Sequence, residues 1–184
     1  LFYEASCVGG VPVIRALLDN LQGNKILSIM GIINGTTNYI LTKMAAEGRA
    51  FKEVLKEAQK LGYAEANPSA DVEGYDATYK LSILSSLAFH TKIPYTKIYR
   101  EGITDISVAD IEYGKKFGYV LKLLAIGKNS DSGIEVRVHP SFIKNTHPLA
   151  SVNDSYNAVY ITGDCVEDVM LYGRGAGALP TGSA

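Results

Sequence analysis

The spacing of apolar residues changes along the chain, and each change marks an element. Val11 to Leu21 ("VPVIRALLDNL") has helical spacing, with Pro12 tolerated in the first turn. "KILSIMGII", Lys25 to Ile33, is short, β-branched and bounded by Asn24 and Asn34, which predicts a strand. Helical spacing returns in "GTTNYILTKMAAEG", stopped at Gly48, and in "FKEVLKEAQKLG", stopped at Gly62. A longer helix is expected from about Val72 to Phe89, with Asp71 as its N-cap. A short one is expected from Ser107 to Phe117, where "SVAD" resembles a capping box with Asp in the acidic position. Beyond it the pattern becomes that of strands. "YVLKLLAIGK", "GIEVRVHPSFI", "NAVYITGD" and "CVEDVMLYG" predict four of them, joined by turns containing Asp131-Ser132-Gly133 and Gly163-Asp164. The sum is an α+β fold, with helices packed on one face of a mixed, largely antiparallel sheet.

The 184 residues suit one domain, and 47% hydrophobic residues suffice for a real core. A net charge of −1, with no cationic stripe, argues against a nucleic-acid surface. No apolar run approaches the roughly 20 residues of a membrane span, and no signal peptide is recognisable. Cys7 and Cys165 are far apart and fit neither a metal nor a redox spacing, which suits a cytoplasmic protein without disulfides. The chain opens on "LFYEAS" and closes on "LPTGSA", the latter reading as the first turn of a helix, so we expect a piece of a longer polypeptide.

Chemistry is concentrated before and within the 72–89 helix. On a wheel at ~100° per residue, Val72, Tyr79, Ile83, Leu84, Leu87 and Ala88 share one side. Thr78, Ser82, Ser85 and Ser86 occupy the other. Asp76 then falls between Ile83 and Leu87, and Lys80 between Leu87 and Leu84, which turns an i,i+4 ion pair toward the apolar side. The plain alternative is a solvated surface pair worth a few tenths of a kcal/mol. Buried charges are costly and tend to survive where they serve a ligand or a reaction. The Pro-containing turn "YAEANPSAD" would bring Glu65 and Asp71 to the same place. Glu65, Asp71, Asp76 and Lys80 together suit a small zwitterion that carries an ammonium and an oxygen. His90, His139 and His147 are isolated and read as structural.

"LGYAEANPSADVEGYDATYKL" resembles the signature of the homoserine dehydrogenases, and "YEASCVGGVPVI", "GIINGTTNYIL", "REGITDI", "VRVHPSFI" and "YGRGAGALPT" are similar to further segments of that family, in its usual order. The resemblance spans essentially the whole chain and points to the family's substrate-binding catalytic and dimerisation domain. It implies oxidation of L-homoserine to L-aspartate 4-semialdehyde with NADP or NAD, a step toward threonine, isoleucine and methionine. By the same likeness, Asp76 and Lys80 stand at the catalytic positions, and Glu65, Asp71, Tyr63, Gly35 and Thr36 at the substrate. Gly175 and Gly177 in "GRGAGA" border the cofactor, whose main binding surface belongs to a preceding domain. That domain also supplies a lysine, so either it or Lys80 passes the proton. "EASCVGG" is similar to a loop for Na⁺ or another monovalent cation, with the Glu4 carboxylate joining carbonyls at Cys7, Gly9 and Val11; oxygen ligands suit such a cation. Where the family commonly has Asp-Pro, this chain has Asn67-Pro68, which keeps the turn but loses a charge. The resemblance further implies a homodimer paired through the sheet. Two alternatives stand beside it: a related two-domain semialdehyde dehydrogenase, and an amino-acid-binding regulatory or assembly domain without redox activity.

Overall fold

The structure is a computed structural model and describes residues 3–184. After a 3-10 turn at Glu4–Ser6, its elements are α1 (Val13–Arg15, continued by a π-helical turn at Ala16–Asn20), β1 (Ile26–Ile32), α2 (Gly35–Glu47) and α3 (Phe51–Lys60). There follow α4 (Ser69–Val72), α5 (Tyr75–Ala88), β2 (Tyr99–Arg100), α6 (Val108–Lys116), β3 (Tyr119–Ser130), β4 (Gly133–Lys144), β5 (Tyr156–Gly163), β6 (Glu167–Arg174) and α7 (Ala178–Ser183). The strands form one sheet in the order β2-β4-β3-β1-β5-β6. Every pairing is antiparallel except β2 with β4, and this two-residue parallel strand, which carries no periodic signal, is what makes the sheet mixed. The expected α+β architecture is therefore the observed one.

Alternation along the strands sorts the sheet into two faces. Ile29, Leu121, Leu123, Ala125, Val138, Val159 and Ile161 join the buried residues of α1, α2, α3, α5 and α6 in the main core. Ile32, Leu124, Ile126, Ile143 and Ala158 form a second cluster with Leu149, Ala150 and Val152, which belong to the 3-10 turn Pro148–Ser151 and the residue after it. Met30, Tyr160 and Met170 pack at its margin, half-buried.

Two local expectations need correction. The helix expected from Val72 to Phe89 is two helices, α4 and α5, divided at Gly74, whose φ of 82° belongs to the left-handed region. Asp71 therefore lies within α4, and the residue before α5 is Gly74. The wheel also had the wrong phase. Ala77, Thr78, Leu81, Leu84, Ser85 and Ala88 are buried, while Tyr79 is exposed and Ile83 and Leu87 only flank the core. Small residues face the sheet because the helix lies close to it: a Cβ on Gly127 of β3 would come within 2.9 Å of the Ser85 hydroxyl. Thr78 satisfies its own hydroxyl on the Gly74 carbonyl at 2.8 Å, so it can be buried without another partner.

Candidate functional site

Asp76 and Lys80 lie one turn apart on α5, off its sheet-facing side, and the Lys80 ammonium meets Asp76 Oδ2 at 2.7 Å. Their side chains keep only 30% and 19% of their exposure, so the pair is half-desolvated and stronger than a surface ion pair. The pair is therefore not on the apolar side of the helix, as the wheel expected, but lines a cavity beside it. Lys80 Nζ also donates to the Ile33 carbonyl at 3.2 Å, just past the end of β1.

The next residue, Asn34, ties the site together. Its side-chain amide donates to Asp71 Oδ1 at 2.7 Å and to Asp76 Oδ2 at 2.9 Å. Its Oδ1 accepts from the Thr37 amide at 2.9 Å, which makes it the N-cap of α2. One buried side chain thus holds two carboxylates from different helices and starts a third. Sequence reasoning passed over Asn34, because an Asn between a strand and a helix reads as a cap and nothing more.

A cavity of about 600 Å³ opens beside this cluster. Its floor is Asn34, Asp71, Asp76 and Lys80, and one wall is the first turn of α2, with Gly35 and Thr36. Thr36 Oγ1 donates to the Tyr63 carbonyl at 2.7 Å, and the Tyr63 ring, which also lines the cavity, packs on Tyr39 with centroids 4.7 Å apart. Ser155, in contact with Gly35, lines it too, together with Asn157 and the segment Arg174–Pro180. Asn157 is buried, and its amide donates to the Ile32 carbonyl at 2.8 Å. Gly175 must be glycine here, since a Cβ would lie 1.2 Å from Asn157 Oδ1. Gly175, packed against the Asn157 side chain, and Gly177 line the cavity with bare backbone.

One expected member is missing from this lining. Glu65 is exposed on the loop after Tyr63, where Gln59 donates to the carbonyls of Glu65 and Ala66 at 3.1 and 3.3 Å. The Glu4 carboxylate likewise has another use: it accepts from the amides of Ile14 at 2.9 Å and Arg15 at 2.8 Å, capping α1. The Val11 carbonyl accepts from the Val13 amide at 2.8 Å, whereas the carbonyls of Cys7 and Gly9 accept no hydrogen bond among the described residues. Cys7 is buried against α5, with Sγ 3.9 Å from the Lys80 carbonyl, and burial pushes its thiol up to about 11. Among the described residues, no group of three His, Cys, Asp or Glu side chains is arranged to hold a metal ion. None of the three histidines lines the cavity; His147 caps the 3-10 turn at Pro148–Ser151.

The arrangement is suited to a small amino acid. Two carboxylates offer a seat for an ammonium, the open amides at the start of α2 offer one for a carboxylate, and Lys80 presents a proton donor to a third polar group.

The family described as homoserine dehydrogenase matches residues 12–184. The homoserine dehydrogenase of Synechocystis sp. is 53% identical over 186 residues, covering 98% of this chain and 43% of that relative. Among solved structures, the homoserine dehydrogenase of Thiobacillus denitrificans has a TM-score of 0.97 at 47% identity, over 98% of this chain and 42% of that one. A hyperthermophilic archaeal homoserine dehydrogenase in complex with NADPH has a TM-score of 0.83 at 30% identity, over 99% of this chain and 52% of that one. The chain spans less than half the length of the curated relatives it matches.

Proposed function

The chain belongs to the homoserine dehydrogenase family, and from that membership we propose that it is the substrate-binding, catalytic and dimer-forming domain of an enzyme that interconverts L-homoserine and L-aspartate 4-semialdehyde. The observation that carries the reading is the Asn34–Asp71–Asp76–Lys80 cluster on the floor of a cavity whose rim is the bare backbone of Gly175 and Gly177. The substrate ammonium lies against Asp71, and Glu65 adds negative charge from the adjoining loop. The substrate carboxylate meets the first turn of α2 at Gly35 and Thr36, with Tyr63 closing over it.

Oxidation of the alcohol transfers a hydride from the carbon bearing the hydroxyl and passes the hydroxyl proton to a lysine, either Lys80 in its neutral form or the lysine that the family resemblance places in the preceding domain. NADP or NAD, when bound, supplies the hydride acceptor, and the backbone of Gly175 and Gly177, which carries no side chains of its own, borders the cavity where it would sit. Lys80 donates a hydrogen bond to the reacting oxygen and stabilises its developing negative charge, while Asp76 and the Ile33 carbonyl keep the ammonium aimed. A monovalent cation such as Na⁺ fits the 4–11 loop through the free carbonyls of Cys7 and Gly9, with Glu4 serving to hold the loop. The second cluster on the outer sheet face supports pairing of two copies there. Two free, widely separated cysteines agree with a cytoplasmic enzyme, and among the described residues no helix is long and apolar enough to cross a membrane.

Homoserine-dependent reduction of NADP⁺ and NAD⁺ by the full-length protein, beside its Lys80→Met variant, tests this. We expect turnover by the wild type and a loss of at least about a thousandfold in kcat/KM in the variant, the ~4 kcal/mol scale of a key charge-stabilising donor. Homoserine binding without turnover by either dinucleotide would instead favour an amino-acid-sensing domain.

A further inference from the structure

The central strand β1 ends before its neighbours do. Its last pairings are Gly31 with Ala125 of β3 and Ile32 with Ala158 of β5, while β3 reaches back to Tyr119 and β5 to Tyr156. Beyond Ile32 the two flanking strands face each other without a strand between them. A lysine fills part of that space. Lys122 of β3 is 1% exposed, and its ammonium donates to Asn38 Oδ1 at 3.1 Å, the Val152 carbonyl at 2.5 Å and Asn153 Oδ1 at 3.2 Å. Asn38, also buried, donates in turn to the carbonyls of Val152 and Tyr156, both at 3.1 Å.

Among the described residues, no carboxylate comes within ion-pair distance of Lys122. Burial pushes its ammonium down to about 8, against the pull of Asp154. An unpaired buried ammonium is expensive, and an aliphatic side chain would fill the same space at lower cost. Its three bonds, however, fall on two elements that both reach the active cavity. Asn38 stands one turn after Gly35 on α2, on the same face of the helix. Val152 and Asn153 open the segment that carries Ser155 and Asn157. The two elements meet at the cavity wall, where a Cβ on Gly35 would come within 2.9 Å of the Ser155 carbonyl.

We propose that Lys122 is a positioning residue for the substrate site: it fastens the first turns of α2 to the 152–157 segment and so fixes where Gly35 and Thr36 stand to receive the amino-acid end of the substrate. The inference rests on the reading of this cavity as the homoserine site. Lys122 touches neither Asp76 nor Lys80, so its loss should act on binding and leave the chemical step nearly intact.

The test is steady-state kinetics of the full-length protein with homoserine, wild type against Lys122→Met, with circular dichroism and thermal melts in parallel. We expect KM for homoserine to rise at least fivefold in the folded variant while kcat stays within threefold of wild type. A purely structural role would lower the melting temperature and the active fraction, and so the apparent kcat, with KM unchanged; KM within twofold of wild type overturns the proposal whatever the melt shows. Should Lys122→Met not accumulate as folded protein, Asn153→Ala, which removes one acceptor at the edge of the cluster, takes its place with a smaller expected shift. A rise of about twofold in KM at constant kcat supports the proposal, and an unchanged KM overturns it. A wild type that turns over no homoserine overturns the dehydrogenase reading, and this inference falls with it.

Discussion

Asn34 caps a helix with one end of its amide and bridges Asp71 and Asp76 with the other. The two roles separate by substitution. Asn34→Asp keeps the cap, since aspartate serves there as well as asparagine, but it loses the donor and places three carboxylates around one point. We expect kcat/KM for homoserine to fall at least tenfold while the melting temperature moves by no more than about 4 °C, the equivalent of about 1 kcal/mol in a domain of this size. Unchanged kinetics with a normal melt would remove Asn34 from the site. The comparison shows what the sequence could and could not reveal. Asp76 and Lys80 announce themselves by their i,i+4 spacing beside an acidic turn. Asn34 reaches the cavity from a cap and Ser155 and Asn157 from a loop and a strand more than a hundred residues further along the chain, and none carries a local signature that ordinary turns and strands lack.

At the scale of elements, the reading is accurate where a local pattern determines the outcome. The hairpin of the twelve-residue strands β3 and β4 turns where Asp131-Ser132-Gly133 places it, and α6 begins in a full capping box between Ser107 and Asp110. Errors fall where packing decides. The phase of α5 is set by how closely it lies on β3, and hydrophobicity alone picks the larger side chains instead. The break between α4 and α5 depends on the left-handed Gly74, which also lies close to the Glu101 carbonyl. Gly74→Ala forces a Cβ into that conformation, and urea denaturation should show a loss of about 1–2 kcal/mol. An unchanged midpoint would mean that the turn relaxes without cost, and that α4 and α5 are held apart by their packing alone.

At the scale of the molecule, the sheet has one face committed to helices and another only partly covered. Leu149, Ala150 and Val152 shield part of the outer cluster, and Met30, Tyr160 and Met170 remain half-buried around it. This margin is where the proposed pairing of two copies would seat the second one. Met170→Asp lies on an edge strand, where the fold tolerates a charge, and in sedimentation we expect it to shift the protein from dimer to monomer at micromolar concentration; a dimer that persists places the interface elsewhere. The cavity on the other side has a different dependence on the whole chain. Its surfaces run from Asn34 to Pro180, so its assembly requires β1, α5, β5 and the segment after β6 to be in place together. Such long-range closure is slow and comes late in folding. A chain emerging from the ribosome can complete the α2–α3 pair and the β3–β4 hairpin and still have nowhere for an amino acid to bind. With the cavity as the proposed homoserine site, substrate would stabilise only the finished domain and give no help to the intermediates that precede it.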